Sequence, residues 1–301
     1  MTKRELDWTN VLFLGAVHLL AAFAVVYMAA VQFSWWTVGA GVLWLALCGI
    51  SITGGYHRLF SHPTYKASNP LKAFYLFFGA ASVQNSALKW SADHRIHHAF
   101  TDQEEDTYNI KGGFLWAHIG WILFKDTPSR DLSHVKDLAA DPLVMFQHRH
   151  YALLAILSGA VLPIALGFLW GDPIGALLVA GFLRLALQWH ATFSVNSIAH
   201  MLGTRPYSTK NSARDSSITA LITLGEGYHN FHHRFQNDYR NGIRWFHFDP
   251  TKWFVFLGSK LGLTSDLKRA PQQAIDRARM EVLAEKAAAA GAVAAPRRAA
   301  G

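Results

Sequence analysis

Histidines stand out in this sequence because half of them are grouped. Eight of the sixteen lie in three short motifs: His57 and His62 in HRLFSH, His94, His97 and His98 in HRIHH, and His229, His232 and His233 in HNFHH. Residues three and four apart share a helix face, so each HxxHH motif can aim three imidazoles at one point. Neutral imidazole is the commonest metal ligand, and eight ligands exceed what one tetrahedral zinc needs. The motifs predict two metal ions with open positions, and iron, zinc, copper and nickel all suit imidazole.

Two details of spacing refine this ligand set. His57 and His62 are five residues apart, which is poor for one face of an α-helix, so we predict a helix that bends or ends near Ser61. Asn196 and His200 are four apart and share a face, so His200 is a candidate ninth ligand, with a packing role as the alternative. Three other histidines lack ligand spacing and are expected at the surface: His134, His148 and His150.

The composition indicates a membrane protein. Of 301 residues, 51% are hydrophobic and only 16% are charged, whereas about a quarter of a soluble domain is charged. Cys48 is the one cysteine, which excludes a disulfide framework and thiolate metal ligation. The net charge is +8, and the basic residues flank apolar stretches. That arrangement favours anionic lipid headgroups, or an acidic partner or substrate, over nucleic acid.

Four apolar stretches are long enough to cross a bilayer: residues 10–31, 35–56, 151–170 and 174–195. Short links with little charge join the first to the second and the third to the fourth, so we expect two helical hairpins. The long connections carry the basic residues, which places both termini and the middle loop in the cytoplasm. The predicted fold is an all-α membrane protein whose cytosolic helical cap, residues 57–150 and 196–268, holds a di-metal site. Buried core helices of a soluble protein are the disfavoured alternative.

Segments outside the spans carry further expectations. Residues 71–88 and 113–124 are apolar and lie either on the membrane surface or in the cap core. Arg184 is costly inside a span, so it must face protein, water or a headgroup. We expect one membrane domain over residues 1–268, and a frayed helix followed by a disordered tail in the alanine-rich residues 269–301.

The motifs and their surroundings resemble one known family. HRLFSH, HRIHH and HNFHH match the three histidine boxes of the integral-membrane fatty acid desaturases. The longer stretches GGYHRLFSHPTYKA, NSIAHMLGTRPY and EGYHNFHHRFQNDYRNGIRWFHFDPTKW are similar to the family as well, and the resemblance covers about residues 10–268. Within the family, the chain is most similar to the acyl-CoA delta-9, or stearoyl-CoA type, branch.

The resemblance implies an oxidoreductase that inserts a cis double bond, at delta-9, into a saturated acyl chain carried as a CoA thioester. It implies two Fe ions, O2 as co-substrate and electrons from a separate carrier of the cytochrome b5, ferredoxin or rubredoxin type, since no fused cytochrome domain is expected. His200 would join the eight histidines as a ligand, and Asn196 would reach one metal through water. The expected setting is the lipid bilayer of a bacterial inner membrane.

The family's acyl-carrier contacts fall on Asn85, Asp93 and Lys125. Ala92 and Asp126 depart from the family, because basic residues are usual at these positions. The departures weaken the expectation of a CoA headgroup, so an acyl-lipid or an acyl-carrier-protein substrate stays open.

Charge predicts a further layer of residues. Two ferrous ions held only by neutral imidazoles leave four positive charges, which are costly to bury without anions. Carboxylates that hydrogen-bond to the ligands should spread this charge and orient the rings. We expect two of four candidates, each in or near a histidine motif, to do so: Asp93, Asp106, Asp215 and Glu226.

Two other functions are kept as alternatives. A membrane di-iron hydroxylase of acyl chains or alkanes would use similar histidine motifs and is distinguished by its product. A metal-binding transporter or sensor would need ionisable residues along a path through the spans, and His18, Arg184 and His190 are the candidates there.

Overall fold

The computed structural model describes residues 5–125 and 132–294, and in that part of the chain the structure is almost entirely helical. Four helices are long and apolar enough to cross a membrane: Trp8–Ala30, Trp35–Ser61, Tyr151–Trp170 and Pro173–Met201, here called spans 1 to 4. Short links join span 1 to span 2 and span 3 to span 4. The predicted all-α membrane fold is confirmed.

Span 2 extends beyond the predicted residue 56. Its α-helix Trp35–Ile50 continues without a break as a π-helix, Ser51–Ser61. The His62 amide donates to the His57 carbonyl over 3.2 Å, which is the i→i+5 hydrogen bond of a π-helix. Residues five apart therefore lie one turn apart. The helix does end at Ser61 as predicted, but its wider turn is what brings His57 and His62 together.

Spans 3 and 4 also change helix type along their length. Span 3 comprises α-helix Tyr151–Ile156, π-helix Leu157–Val161, α-helix Leu162–Gly167 and 3-10 turn Phe168–Trp170. Span 4 comprises α-helix Pro173–Ala176, π-helix Leu177–Leu183, and α-helices Arg184–Asn196 and Ile198–Met201. Span 4 runs six residues past its predicted end at 195. This extension carries His200.

Span 4 packs against spans 1, 2 and 3. Gly41 lets span 2 approach closely, because a Cβ there would lie 2.8 Å from Cγ1 of Val179. Arg184 is buried and donates to the carbonyl oxygens of Ala81 and Ala180, at 2.9 Å each. Its charge thus faces protein, which is one of the three outcomes the sequence left open.

The cap covers one end of the spans with short helices. Their bounds are Asn69–Ala80, Ala87–Phe100, Phe114–His118, Lys136–Ala139, Pro142–Arg149, Ser217–Ile222, His229–Arg234 and Pro250–Lys260, with 3-10 turns Ile110–Gly112, Gly120–Ile122 and Ser133–Val135. Strands Lys66–Ala67 and Thr264–Ser265 pair antiparallel, with Lys66 opposite Ser265.

The two apolar cap segments have different surroundings. Leu71, Tyr75 and Leu76 of helix Asn69–Ala80 are buried in the main hydrophobic cluster of the cap. Tyr75 packs directly onto the π-helix, since a Cβ on Gly55 would lie 2.6 Å from the Tyr75 Cβ. Leu115, in contrast, is 73% exposed. The first segment is therefore core, and the second presents apolar side chains at the surface.

The C-terminal segment contains a long helix, Gln272–Ala294, where the sequence predicts a frayed helix followed by a disordered tail. Ile275, Ala278 and Val282 are buried, and the first two pack in one cluster with Tyr207 and Phe231. The high alanine content hid these apolar positions, which recur at helical spacing. Residues 295–301 lie outside the described part of the chain.

Candidate metal centre

Nine histidines meet in two groups beneath the cap. One group has five members, His57, His62, His94, His98 and His232, and the other has four, His97, His200, His229 and His233. Within each group the potential ligand atoms all lie within 4.8 Å of one another. These are the nine histidines that the sequence singled out as ligands, and the structure brings all of them together.

The helices distribute the motifs differently from the prediction. Each HxxHH motif was expected to aim at one point, but each is split between the two groups. His94 and His98 face the five-histidine group, whereas His97 faces the four-histidine group. Residues i and i+4 lie close in angle on a helix, while i+3 lies on the other side of i. One short helix can therefore supply both groups.

The spacing of the ring nitrogens fits metal coordination. Nε2 of His232 lies 3.0 Å from Nε2 of His57 and 2.9 Å from that of His98. In the other group, Nε2 of His229 lies 3.1 Å from His200 and 3.0 Å from His233. A neutral ring nitrogen makes one hydrogen bond, either as donor or as acceptor. Hydrogen bonding alone therefore does not explain a ring nitrogen that has two other ring nitrogens this close. Two nitrogens at right angles, each about 2.1 Å from one metal, would lie about 3.0 Å apart.

Six of the nine rings are held in their neutral form. Burial lowers their pKa well below the ordinary value, and repulsion between neighbouring rings lowers it further. The six are His62, His94, His98, His229, His232 and His233. Neutral rings keep a lone pair for a metal.

Two carboxylates orient rings of the histidine groups through the other nitrogen. Glu226 Oε2 lies 2.8 Å from Nδ1 of His57, and Asp106 Oδ1 lies 2.9 Å from Nδ1 of His97. Each carboxylate fixes the proton on Nδ1 and so leaves the Nε2 lone pair pointing into a group. Burial acts to raise the pKa of Glu226, but His57 and Arg58 outweigh it and lower that pKa to about 2. Glu226 is therefore an anion beside the five-histidine group.

A cavity of about 890 Å³ adjoins the histidines. His57, His94, His97 and His229 are among its lining residues. Its lining includes polar residues, such as Asn10, Asn85, Asp93, Lys125 and Asn196, and apolar residues, such as Leu45, Gly49, Ile52, Leu221 and Leu224. Its size is within the usual range for small-molecule sites. A long amphiphilic ligand fits this combination of walls.

Comparison with known proteins decides the family. A profile described as fatty acid desaturase matches residues 33–256 of this chain. This chain belongs to the fatty acid desaturase family. It is 44% identical over 276 residues to a probable acyl-CoA desaturase of Schizosaccharomyces pombe, covering 91% of this chain and 57% of the relative. It is 46% identical to acyl-CoA desaturase 1 of Saccharomyces cerevisiae, covering 79% of this chain and 47% of that protein.

An animal relative is matched over more of its length. Stearoyl-CoA desaturase 5 of Bos taurus is 35% identical over 286 residues, which covers 91% of this chain and 83% of the relative. This match bears out the predicted resemblance to the stearoyl-CoA branch of the desaturase family. The chain spans only about half the length of the two yeast relatives.

The other residues that the sequence singled out for the site lie in different surroundings. Asp93 is buried and lines the cavity with Asn85 and Lys125. Asp215 accepts the Phe231 amide over 3.0 Å, so it supports the backbone of helix His229–Arg234. Burial raises its pKa to about 7. Ala92 is fully buried, and Asp126 lies outside the described residues.

Two of the three histidines expected at the surface are instead half-buried. A ring nitrogen of His134 lies 3.2 Å from the Ala92 carbonyl, and one of His148 lies 2.8 Å from the Ser86 hydroxyl. His150 is exposed, as predicted. None of the three belongs to either histidine group.

The sequence missed one support of the four-histidine group. Ser212 Oγ lies 2.7 Å from Nδ1 of His200 and donates to Asp102 over 2.5 Å. The backbone amide of Asp102 donates in turn to Asp106, which holds His97. Ser212 is 110 residues from Asp102 in sequence. No local pattern marks this contact, which arises only when the two parts of the cap meet.

Proposed function

We propose that this protein is an oxygen-dependent acyl desaturase that inserts a cis double bond, at delta-9, into a saturated acyl chain. The observation that carries the proposal is the pair of converging histidine groups beside a cavity lined by both polar and apolar residues. Family membership supports the same chemistry, because the relatives are named acyl-CoA and stearoyl-CoA desaturases.

The chain would hold two irons. The five-histidine group would bind one iron, and the four-histidine group, with a water held by Asn196, would bind the other. When bound, the irons with oxygen supply the oxidising power to remove hydrogen from an unactivated methylene, which no side-chain acid or base can do. Glu226 and Asp106 would orient His57 and His97 and offset part of the metal charge.

The protein's own task is to position one methylene pair. Adjacent methylenes differ in burial energy by only about 0.8 kcal/mol, so the position of the double bond must come from a fixed headgroup and a fixed path. Trp90 donates to Gln84 over 3.2 Å, and Gln84 donates to Thr192 over 3.0 Å, all three on the cavity wall. This bonded set provides a rigid wall near His94. Gly49 and Leu224 are among the apolar residues that line the cavity, and the methyl end would lie beside them.

The acyl carrier is proposed to be CoA. Asn85, Asp93 and Lys125 line the cavity and supply the polar contacts for a headgroup. Lys125 Nζ lies 3.2 Å from Glu5, and both side chains are exposed, so the lysine can exchange this partner for a phosphate. Ala92 removes one family cation, which keeps an acyl-lipid or acyl-carrier-protein substrate as the alternative. The electron donor would be a separate protein of the cytochrome b5, ferredoxin or rubredoxin type.

The four spans make this an integral membrane protein. We propose that the cap and both termini face the cytoplasm, because the basic residues lie in the connections on that side. The relatives reported above come from yeasts and cattle and give no support to a bacterial inner membrane, so that location stays a prediction.

Expression in a desaturase-deficient host, followed by mass spectrometry of the fatty acids, tests the proposal. A desaturase yields a chain that has lost two hydrogens, with the bond at delta-9, whereas a hydroxylase yields a chain that has gained an oxygen atom. His98→Ala should abolish the product, and the exposed His150→Ala should keep it. A hydroxylated product, or equal activity of both variants, would contradict the proposal.

A further inference from the structure

A short loop, residues 81–86, lies between two cap helices and carries two reference points for an acyl chain. Gln84 belongs to the bonded wall described above, and the next residue, Asn85, is a proposed contact for the headgroup. Both line the cavity. The helix that follows the loop carries His94 of the five-histidine group. The conformation of this loop therefore fixes the headgroup contact and the wall relative to each other and to the histidines.

The backbone of loop 81–86 is strained at Val83. Its φ is 48°, in the left-handed region, which is costly for a β-branched residue. The Val83 side chain lines the cavity and packs against the hydrophobic cluster that spans 1 and 4 form together. A strained residue persists only when the surrounding structure holds it in place. The loop therefore depends on bonds from its neighbours.

Span 4 supplies these bonds. Arg184 donates to the Ala81 carbonyl over 2.9 Å, Gln188 donates to the Ser82 hydroxyl over 2.8 Å, and Trp189 donates to the Ser82 carbonyl over 2.9 Å. Arg184 also donates to the Gln188 side-chain oxygen over 3.2 Å, which turns the NH2 group of Gln188 towards Ser82. One polar edge of span 4 thus holds the two residues that precede Val83.

The same face of span 4 holds the loop on the other side of Val83. Thr192, four residues after Gln188, accepts from Gln84 over 3.0 Å. Residues 184, 188 and 192 are spaced by four, so they lie along one face of the helix. The strained residue is therefore fixed between bonded neighbours on both sides.

Arg184 is the costly member of this set. It lies in a membrane span, is 2% exposed and donates to the uncharged oxygens of Ala81, Ala180 and Gln188. An ionisable residue in such a place is expensive and usually serves function. Arg184 does not line the cavity. Any effect it has on an acyl chain must therefore pass through the loop that it holds.

We propose that Arg184, with Gln188 and Trp189, holds loop 81–86 in its strained conformation and so determines which methylene pair faces the histidine groups. Arg184 is then a positioning residue for the double bond. The inference rests on the proposed function, and it adds a determinant of bond position that lies outside the cavity wall.

Loss of these bonds has a predictable consequence. Val83 would leave the left-handed region, and the loop would move Gln84 and Asn85 relative to each other. The wall and the headgroup contact would then no longer select one register of the chain. Adjacent registers would differ only in the burial of one methylene, which corresponds to about a four-fold ratio.

Three variants test the proposal. Arg184→Met removes the hydrogen bonds of the guanidinium, and Ser82→Ala is a milder change that removes only the acceptor of Gln188. Thr37→Val is the matched control, because Thr37 is also buried between spans and donates over 2.6 Å to Asp172, away from the loop. Double-bond position is determined by mass spectrometry of fatty acids from the desaturase-deficient host. Iron content and hydrogen exchange are measured on the purified full-length proteins.

We expect the wild type and Thr37→Val to make the delta-9 product alone. Arg184→Met should keep its iron and make neighbouring isomers in amounts within about four-fold of one another, and Ser82→Ala should shift in the same direction by less. The amides of Ser82 and Val83, which donate to carbonyls at the end of the preceding helix, should exchange faster in Arg184→Met than in Thr37→Val. A role in general stability would not separate these two variants.

A second substitution tests the strain itself. Glycine adopts a φ of 48° without steric cost, so a loop with Val83→Gly has less reason to relax when the bonds from span 4 are lost. Arg184→Met combined with Val83→Gly should therefore make a larger share of delta-9 product than Arg184→Met alone. If Arg184 only stabilised the fold, removing the packed valine would make the defect worse, and that result would count against the proposal.

The outcomes separate this inference from the proposed function. If the wild type, Arg184→Met and Ser82→Ala all make only the delta-9 product, the inference is wrong and the proposed function stands. If Arg184→Met does not accumulate, Ser82→Ala decides in the same way. If the wild type hydroxylates the chain instead, the proposed function is wrong, and a displaced hydroxyl group with faster loop exchange in Arg184→Met still supports the role of Arg184.

Discussion

Glu226→Gln is the most informative single change at the candidate metal centre. The two oxygens of Glu226 receive three donors: Nδ1 of His57 at 2.8 Å, Arg58 at 2.9 Å and Asn241 at 2.6 Å. Glu226 is 4% exposed, so water cannot replace a lost partner. Glutamine has nearly the same shape but one oxygen and one NH2 group, so at least one of the three donors would then face another donor.

The magnitude follows from these contacts. Removing one partner of a buried ion pair costs about 3–5 kcal/mol. We expect the low end, about 3 kcal/mol, because Arg58 keeps a second carboxylate, Asp249, at 3.0 Å. The effect on metal binding is separate: loss of the partner that orients a ligand histidine lowers affinity by about 10–100-fold. His57 belongs to the five-histidine group, so that group should lose its metal first.

Glu281→Gln is the matched control, because Glu281 makes the same kind of pair with Arg234, at 3.3 Å, on the surface. Exposed pairs contribute about 0–1 kcal/mol, so this variant should resemble the wild type. Chelator competition measures iron affinity, and thermal unfolding of the apo-protein in detergent measures stability. Equal iron affinity and stability in Glu226→Gln and Glu281→Gln would refute the role given to Glu226.

Three further changes test other parts of the structure. Ser212→Ala removes the partner of His200 at 2.7 Å, so iron stoichiometry should fall at the four-histidine group, with affinity lower by about ten-fold; an unchanged metal content would contradict this. Gly49→Ala places a Cβ 2.4 Å from Cδ1 of Leu224 and so shortens the space for the methyl end. When saturated acyl-CoAs compete, the variant's preference should shift towards shorter chains, and a shift towards longer chains would count against the assigned methyl end. Burial raises the pKa of Asp215 from 3.8 to about 7, so between these pH values the folded apo-protein binds more protons than the unfolded chain. The wild type should therefore lose stability relative to Asp215→Asn as the pH rises through that window. A difference in unfolding midpoint that does not change with pH would exclude this burial effect.

Much of the fold could be predicted because its signals are local. A run of about 20 apolar residues specifies a span wherever it occurs, and span 3 begins and ends at the predicted residues 151 and 170. The candidate ligands are also marked locally, since HxxHH places imidazoles on one short helix. The packing of the C-terminal helix could not be predicted, because its buried residues, such as Ile275, are few and lie among alanines.

The sequence by itself determined which residue types were available: eight clustered histidines, His200 as a candidate, and acids near them. Tertiary structure decided how they combine. The π-helix Ser51–Ser61 brings His57 and His62 onto one side, and the helix geometry sends His97 to a different group from its neighbours His94 and His98. Partners such as Ser212 and Asp102 are far apart in sequence. Such contacts depend on how helices pack against each other, which no residue spacing within one segment specifies.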